Sequence, residues 1–393
     1  MMYNYHPKTK EELKDLIEKL IEKRGNEADL NDIDVSQITN MRDLFYKSQF
    51  NGDISKWNVS KVGNMGEMFC DSQFNGDISN WDVSGVVDME SMFYESQFNG
   101  NISKWDVGKV KDMSGMFYYS KFNGDISNWN VSKVKNMDTM FTFSEFNGDI
   151  SNWNVSRVWN MNAMFNCSKF NGDISNWDVS GVENMSNMFS YSQFNGDISN
   201  WNVSKVEDMS WMFASFQFNR DISKWDVSGV KNMKGMFNSS QFNGDISEWN
   251  VSNVEDMGWM FQYSKFNGDI SNWNVSGVWD MSGMFAKSQF NGDISNWDVS
   301  SVESMNKMFY LSPKFDGDIS KWDVSGVKCM DEMFDNYKPT DSIPKWYFSK
   351  KDKECAVKNV TTPPADDSSS IFSAIIKQLL FIVIMLAIFY FVK

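Results

Sequence analysis

One carboxylate recurs along this chain at a fixed interval: Asp53, Asp77, Asp125, Asp149, Asp173, Asp197, Asp221, Asp245, Asp269, Asp293 and Asp318, with Asn101 as the one substitute. Oxygen ligands repeated in this way suit two chemistries. Stacked carboxylates and carbonyls hold a hard cation such as calcium, or each carboxylate caps the Asn-Gly turn by accepting backbone N–H bonds. Neighbouring carboxylates about 5 Å apart repel by roughly 1 kcal/mol in water and by more at lower dielectric, so something must offset the repulsion. Asn101 fits either chemistry. The alternating glycine-aspartate nonapeptide of calcium solenoids is missing, so turn capping is the expectation and no metal or cofactor is assigned.

Little else in the composition can do chemistry. His6 is the only histidine, which leaves almost no room for His-based catalysis or mixed Cys/His zinc sites. Cys70, Cys167, Cys329 and Cys355 share no spacing and read as reduced thiols rather than a disulfide framework. There is no phosphate loop, nucleophile elbow or acid/base pair set apart from its surroundings, so no catalytic residue is assigned and no enzyme is expected. The formal net charge of −15 argues against nucleic acid as a partner. Asn-Val-Ser triplets such as Asn58-Val59-Ser60 read as incidental sequons, because Asp replaces Asn at this position in other repeats.

The elements that position these aspartates are set by a repeat. Phe74-Asn75-Gly76-Asp77-Ile78-Ser79-Asn80-Trp81-Asp82-Val83-Ser84-Gly85-Val86 returns every 24 residues, and tryptophans mark it from Trp57 to Trp297, the step to Trp322 being one residue longer. Such a period signals a solenoid in which each coil buries the flanks of its neighbours. Alternation at Trp57, Asn58, Val59 and Ser60 predicts a short strand with Trp57 and Val59 inward. Met65, Met68 and Phe69 predict a short helix or 3₁₀ turn. Ladders of Ile, Trp, Val, Met and Phe then form the core, the Met ladder as adaptable filler rather than a ligand box. The fold class read from this is an α/β repeat: a leucine-rich-repeat-like parallel solenoid of 24-residue coils with a helical N-terminal cap and a C-terminal transmembrane helix.

The phrase Phe-Asn-x-Asp-Ile-Ser-x-Trp-Asp-Val-Ser-x-Val-x-x-Met-x-x-Met-Phe, matched about a dozen times between residues 33 and 346, resembles the repeat of BspA-like leucine-rich-repeat surface proteins. The same phrase is found in mycoplasma-type surface lipoproteins and in large DNA viruses of protists. The resemblance implies a non-enzymatic, surface-displayed solenoid linked to adhesion or host contact, and it brings no catalytic residues.

The expected organisation is a capping helix over 1–30, coils over 31–336, a C-terminal cap over 337–349, a flexible linker over 350–370 and a transmembrane helix over 371–392. Thr9 with Glu12 fits a capping box and Gly25 a C-terminal stop. Twenty-two apolar helical residues span about 33 Å, enough for a bilayer core. That anchor holds Ile371, Leu379, Leu380, Phe381, Ile384, Phe389 and Val392, and implies membrane lipid as a partner and a single-pass, tail-anchored protein with cytosolic repeats. Two irregularities interrupt the coils: Phe216 to Asp221, where Arg220 replaces glycine, and the extra residue at Ser312-Pro313-Lys314. A glycine-only backbone at that position would make Arg220 cost about 1–2 kcal/mol.

Variety lies after each Met-Phe pair. Tyr94, Tyr119, Tyr191, Trp211, Trp259, Tyr263 and Tyr310 are the candidate interaction surface, because exposed aromatics are common interface anchors. The expected function is a membrane-anchored, non-enzymatic module for protein–protein interaction or adhesion with an unknown protein partner. The alternative is a structural spacer or coat component of a cell or virion membrane.

Overall fold

The computed structural model describes residues 3–215, 217–335 and 343–350. Helix α1 (Lys10–Arg24) begins where Thr9 Oγ1 accepts the Glu12 N–H at 3.2 Å, and the Lys8 N–H donates to Glu12 Oε2 at 2.6 Å. It ends where the Gly25 N–H donates to the Ile21 carbonyl at 2.7 Å with Gly25 at φ 87°, a left-handed angle that favours glycine. Leu13, Ile17 and Leu20 are buried in the same apolar cluster as the coils. Lys10 and Lys14 reach Asp43 of the first coil at 3.0 and 2.9 Å.

The coils stack as the period requires, but not as strands and helices. The only pairing among the described residues is a chain of one-residue parallel bridges, Asn40 to Asn64 to Asp88 and on to Ser304 and Cys329, plus two near the N-terminus. The α/β, leucine-rich-repeat-like architecture is therefore corrected. Trp57 to Ser60 is not a strand. Turn bonds run instead on both sides of it, from the Trp57 N–H to the Ile54 carbonyl at 3.1 Å and from the Val62 N–H to the Val59 carbonyl at 2.8 Å. Like rings in adjacent coils step 5.5–6.1 Å along the Phe45–Phe334 ladder, wider than the ~4.8 Å of paired strands.

Side chains write the first half of each coil. In the coil of Trp81, Asp77 Oδ1 accepts the Ser79 N–H at 2.9 Å, Asp82 Oδ1 accepts the Ser84 N–H at 3.1 Å, and Asp88 Oδ1 accepts the Glu90 N–H at 3.0 Å. Each bond runs from residue i to i+2 and closes a turn in place of a ladder. Asn101 makes the same bond to Ser103 at 3.0 Å. The aspartate column does accept backbone N–H bonds as expected, but from the serine two residues on, while the N–H of Asn75 in the Asn-Gly pair goes to Asn51 Oδ1.

Backbone bonds write the second half. The Met89, Ser91, Phe93 and Glu95 N–H groups donate to the carbonyls of Asp112, Ser114, Met116 and Tyr118 in the next coil, at 2.7–3.0 Å. Between them the Met92, Tyr94 and Ser96 N–H groups close i→i−3 turns at 3.2–3.3 Å. Ser91 and Glu95 take φ of 52° and 51°, and the equivalent residues of the other coils are left-handed too. The predicted helix over Met-x-x-Met-Phe is corrected to this ribbon of overlapping turns. Each left-handed residue turns its N–H along the stack rather than back to i−4, at roughly 1–2 kcal/mol without glycine. An inter-coil hydrogen bond of about 1 kcal/mol offsets most of that.

The core follows the expected eight positions. Phe74, Ile78, Trp81, Val83, Val86, Met89, Met92 and Phe93 are all buried. From Trp81 to Trp322 each tryptophan of the repeat also donates to the isoleucine carbonyl of the coil before, as Trp81 Nε1 does to Ile54 at 3.2 Å, while Trp57 donates to Leu30. Trp346, in helix α2 (Lys345–Lys350), continues the column by donating to Ile319 at 3.2 Å. Tyr347 packs edge-on against Phe334 at 5.0 Å.

The glycine replaced by Arg220 has another cause than the one expected. Gly196 and Gly244 are not left-handed. A Cβ at either would lie 2.7–2.9 Å from the ring of the phenylalanine two residues before it. At Arg220 the Phe218 ring tilts 14° from Phe242, while Phe242 and Phe266 lie within 3°. Arg220 Nε donates to the Asn195 carbonyl at 3.2 Å. Phe216 lies outside the described residues.

The membrane anchor is also corrected. The described helices are 15 and 6 residues long and carry charges, and none of them is long and apolar enough to cross a membrane. Residues 371–392, with Ile371, Leu379, Leu380, Phe381, Ile384, Phe389 and Val392, lie outside the described residues, as does the linker after Lys350. The single-pass, tail-anchored placement and the lipid partner drawn from that segment therefore rest on no described structure and are set aside.

Candidate interaction surface

The ribbon side of the stack carries the residues that differ from coil to coil. Two left-handed positions recur in each coil, and both hold side chains that a turn table would not choose. Trp211 and Trp259 occupy the first, at φ 57° and 62°. Each indole lies flat on the glycine of the next coil: a Cβ at Gly235 would come within 2.5 Å of Trp211, and one at Gly283 within 2.3 Å of Trp259. Both tryptophans are half-buried.

Tyr119, Tyr191 and Tyr263 occupy the second left-handed position, at φ 48°, 56° and 56°. They are 41%, 53% and 50% exposed, and they share one column at intervals of three coils. Tyr94 and Tyr310 stand one residue earlier in their coils and are half-buried. Tyr94 stacks on Tyr118 at 4.3 Å, and burial pushes its hydroxyl far above the ordinary tyrosine range. The seven aromatics picked from the sequence therefore divide. Three project from the surface, and four pack between coils. Trp159 and Trp279, also exposed, stand on a separate column.

At the end of the tyrosine column lies an open groove of about 850 Å³ over three coils, lined by Tyr263, Lys265, Asn267, Lys287, Gln289, Asn291 and Lys314 beside buried Ser264. Lys287 Nζ donates to Tyr263 Oη at 2.7 Å, a bond that raises the pKa of the ammonium and keeps it charged. The same nitrogen stands 4.8 Å from the Tyr263 ring centre and 5.7 Å from that of Tyr310. Sequence reasoning found the two tyrosines and missed the lysines. Lys265 and Lys314 occupy one repeat position, with Gln289 between them, and Lys287 occupies another, so no single column contains all three.

A second polar cluster sits on the bridge column, which mixes amides and carboxylates, bonded as Asn64 Nδ2 is to Asp88 Oδ2 at 2.8 Å. Asp256 and Asp280, like Asp88 and Asp112, are carboxylates in adjacent coils. Asp280 is fully buried, and its Oδ2 has no hydrogen bond; Lys234 Nζ stands 3.3 Å from Asp256 and 3.9 Å from Asp280. Burial, with help from Asp280, pushes the Asp256 carboxyl upward against the pull of Lys234. Among the described residues no group of three or more His, Cys, Asp or Glu is placed to hold a metal ion.

Stacked turn-built coils with one conserved-geometry side and one variable side define a repeat protein with an extended surface. Comparison with known families names the kind. Matches to the family described as "Mycoplasma protein of unknown function, DUF285" cover residues 13–121, 95–195, 165–267, 190–288 and 239–346, so the chain belongs to that family. This agrees with the mycoplasma-type part of the resemblance seen in the repeat phrase. No curated protein and no solved structure matches the chain.

Proposed function

We propose that this protein is a non-enzymatic interaction module, of the adhesive kind that the BspA-like repeat phrase implies, and that its partner docks on the ribbon side of the coils. The observation that carries the reading is the column of Tyr119, Tyr191 and Tyr263, half or nearly half exposed on the side of the coils that varies. Exposed tyrosines supply rigid contact area with a polar tip, the usual make-up of an interface anchor. The rival spacer reading gives that column no role.

The test is retention of full-length protein on an array of folded proteins, wild type against the Tyr119→Ser/Tyr191→Ser variant. The expected result is a discrete set of partners held by the wild type and lost by the variant, with unchanged melting curves. Identical retention by both chains, or none by either, would return the spacer reading.

A further inference from the structure

In a chain of net charge −15, the groove at the end of the tyrosine column is an exception. Its lining contains three lysines and no carboxylate. Among the described residues neither Lys265 nor Lys314 has a carboxylate within ion-pair distance, whereas Lys169, at the same repeat position in an earlier coil, pairs with Glu145 of the coil before. Lys287 is held by the neutral Tyr263 hydroxyl.

The amides in the lining add to this. Asn267 Oδ1 accepts the Asn291 N–H at 2.7 Å, and Asn291 Oδ1 accepts the Asp316 N–H at 2.9 Å. A backbone N–H can only donate, so both side-chain oxygens are fixed against the stack and both NH₂ groups are left to the groove. Ser264 Oγ is likewise occupied, accepting the Phe266 N–H at 3.1 Å. What the groove offers is three ammoniums and two amide donors, with few acceptors.

A donor-rich lining selects its occupant. A peptide brings a backbone N–H for almost every carbonyl, and those donors find little to bond here. A glycan bearing sulfate or carboxylate groups brings acceptors throughout, several of them charged, and charge-assisted bonds to ammonium are the stronger kind. Lys265 and Lys314 stand two coils apart, on a stack whose phenylalanine rings step 5.8 Å per coil here, so the charges are strung along the axis rather than gathered around one point. That arrangement suits a linear polymer lying along the coils.

We infer that the groove formed by Tyr263, Lys265, Lys287, Gln289 and Lys314 binds an anionic polysaccharide. This deepens the interaction reading and rests on it, naming the ligand class at one end of the surface.

The test is calorimetric titration of the full-length protein with a heparin octasaccharide, against the same octasaccharide desulfated and N-acetylated, and against poly-glutamate of equal charge. Two variants are compared: Lys265→Gln/Lys287→Gln/Lys314→Gln, and the control Lys56→Gln/Lys104→Gln/Lys224→Gln from the opposite half of the coils. The expected result is octasaccharide binding that weakens as salt rises, as exposed charge pairs do. It falls by about tenfold or more in the groove variant, the effect of losing three such contacts, and stays unchanged in the control. No binding by the wild type, or equal loss in both variants, overturns the inference. Poly-glutamate bound as tightly, and lost with the same three lysines, makes the groove an acidic-peptide site and overturns it too. If the glycan fails while Tyr119 and Tyr191 still govern retention on the protein array, the interaction reading stands and only this inference falls.

Discussion

Each coil has two halves, and both are built of turns, yet one hardly varies and the other varies freely. In the half from Asp77 to Glu90 three turns are closed by side chains: Asp77, Asp82 and Asp88 each hold the N–H of the residue two places on. The sequence must then supply a short oxygen-bearing side chain at each of those places, and it does so in every coil but the last, where Cys329 stands on the Asp88 column. In the half from Met89 to Ser96 the N–H groups are met by the next coil's carbonyls. No side chain is needed there, so the outward positions accept Trp, Tyr, Lys, Glu or Gly. Where side chains make the backbone they cannot also make a binding surface. Where the backbone closes itself, side chains are free to be recognised.

The largest expected effect that sharpens this contrast is on the ribbon side, at one of the few places where it is not free. Gly235→Ala would set a Cβ 2.5 Å from the Trp211 indole at a left-handed angle. Overpacking and backbone strain together predict a loss of about 2–3 kcal/mol, read in denaturant unfolding. Trp211→Ala in the same chain should restore part of it, because the clash partner is gone.

A smaller effect tests the side-chain half. Asp77→Ala should cost about 0.5–1 kcal/mol by leaving the Ser79 N–H without its acceptor, while Asp77→Asn should be near neutral, as Asn101 shows. The same bonds set a pH dependence. Hydrogen bonds from Ser79 hold the Asp77 carboxyl below its ordinary 3.8, and Asp82, Asp173 and Asp178 are lowered in the same way. A carboxyl lowered on folding stabilises the fold above its ordinary value and loses that contribution as pH falls through the folded value. Melting temperature should therefore be flat at neutral pH and fall below about pH 4. Asp256 is shifted the other way, so its contribution is present at acid pH and lost on raising the pH, which separates the bridge column from the turn columns in the same titration.

The smallest effect would break the comparison if it failed. Tyr191→Gly removes an exposed ring at φ 56° and relieves the left-handed backbone, so stability should rise by up to about 1 kcal/mol as partner retention falls. A loss of stability would mean that the tyrosine column belongs to the packing after all.

Much of this was readable in the sequence, and the parts that were not share a cause. The aspartate column and its serine two residues later announced a turn, and the inward positions from Phe74 to Phe93 followed from the period alone. The ribbon was misread because Met-x-x-Met-Phe has a spacing of three, which fits a helix and an i→i−3 turn equally well. Gly115, Gly235 and Gly283, standing where other coils carry Thr139, Trp211 or Trp259, were the signal for a left-handed residue. The strand was misread because alternation of Trp57 and Val59 with Asn58 and Ser60 records only which side chains are inside, not which bonds the backbone makes. The lysine groove was hard to see because Lys265 and Lys314 share one repeat position with Gln289 between them, while Lys287, which completes the groove, comes from another position. Three-dimensional neighbours in a stack come from the same position in different coils or from adjacent positions, and only the first kind shows as a repeat.

The one-way bonds of the ribbon also make the two ends of the stack different objects. Within the ribbon each coil hands its N–H groups forward, leaving carbonyls there at the first coil and donors at the last, while a column beside it, from Val87 to Gly63 and Lys111 to Val87, runs the other way. Carbonyls tolerate poor company, and at that end helix α1 brings the ammoniums of Lys10 and Lys14 to Asp43. Unmet donors are far rarer in folded proteins, and at the other end the Tyr347 side chain takes up the Phe334 N–H. Along the ribbon the stack therefore has a polarity, like a chain of plugs and sockets: pieces cut from its front and from its back expose opposite fittings on that side, and a lid that suits one end there does not suit the other.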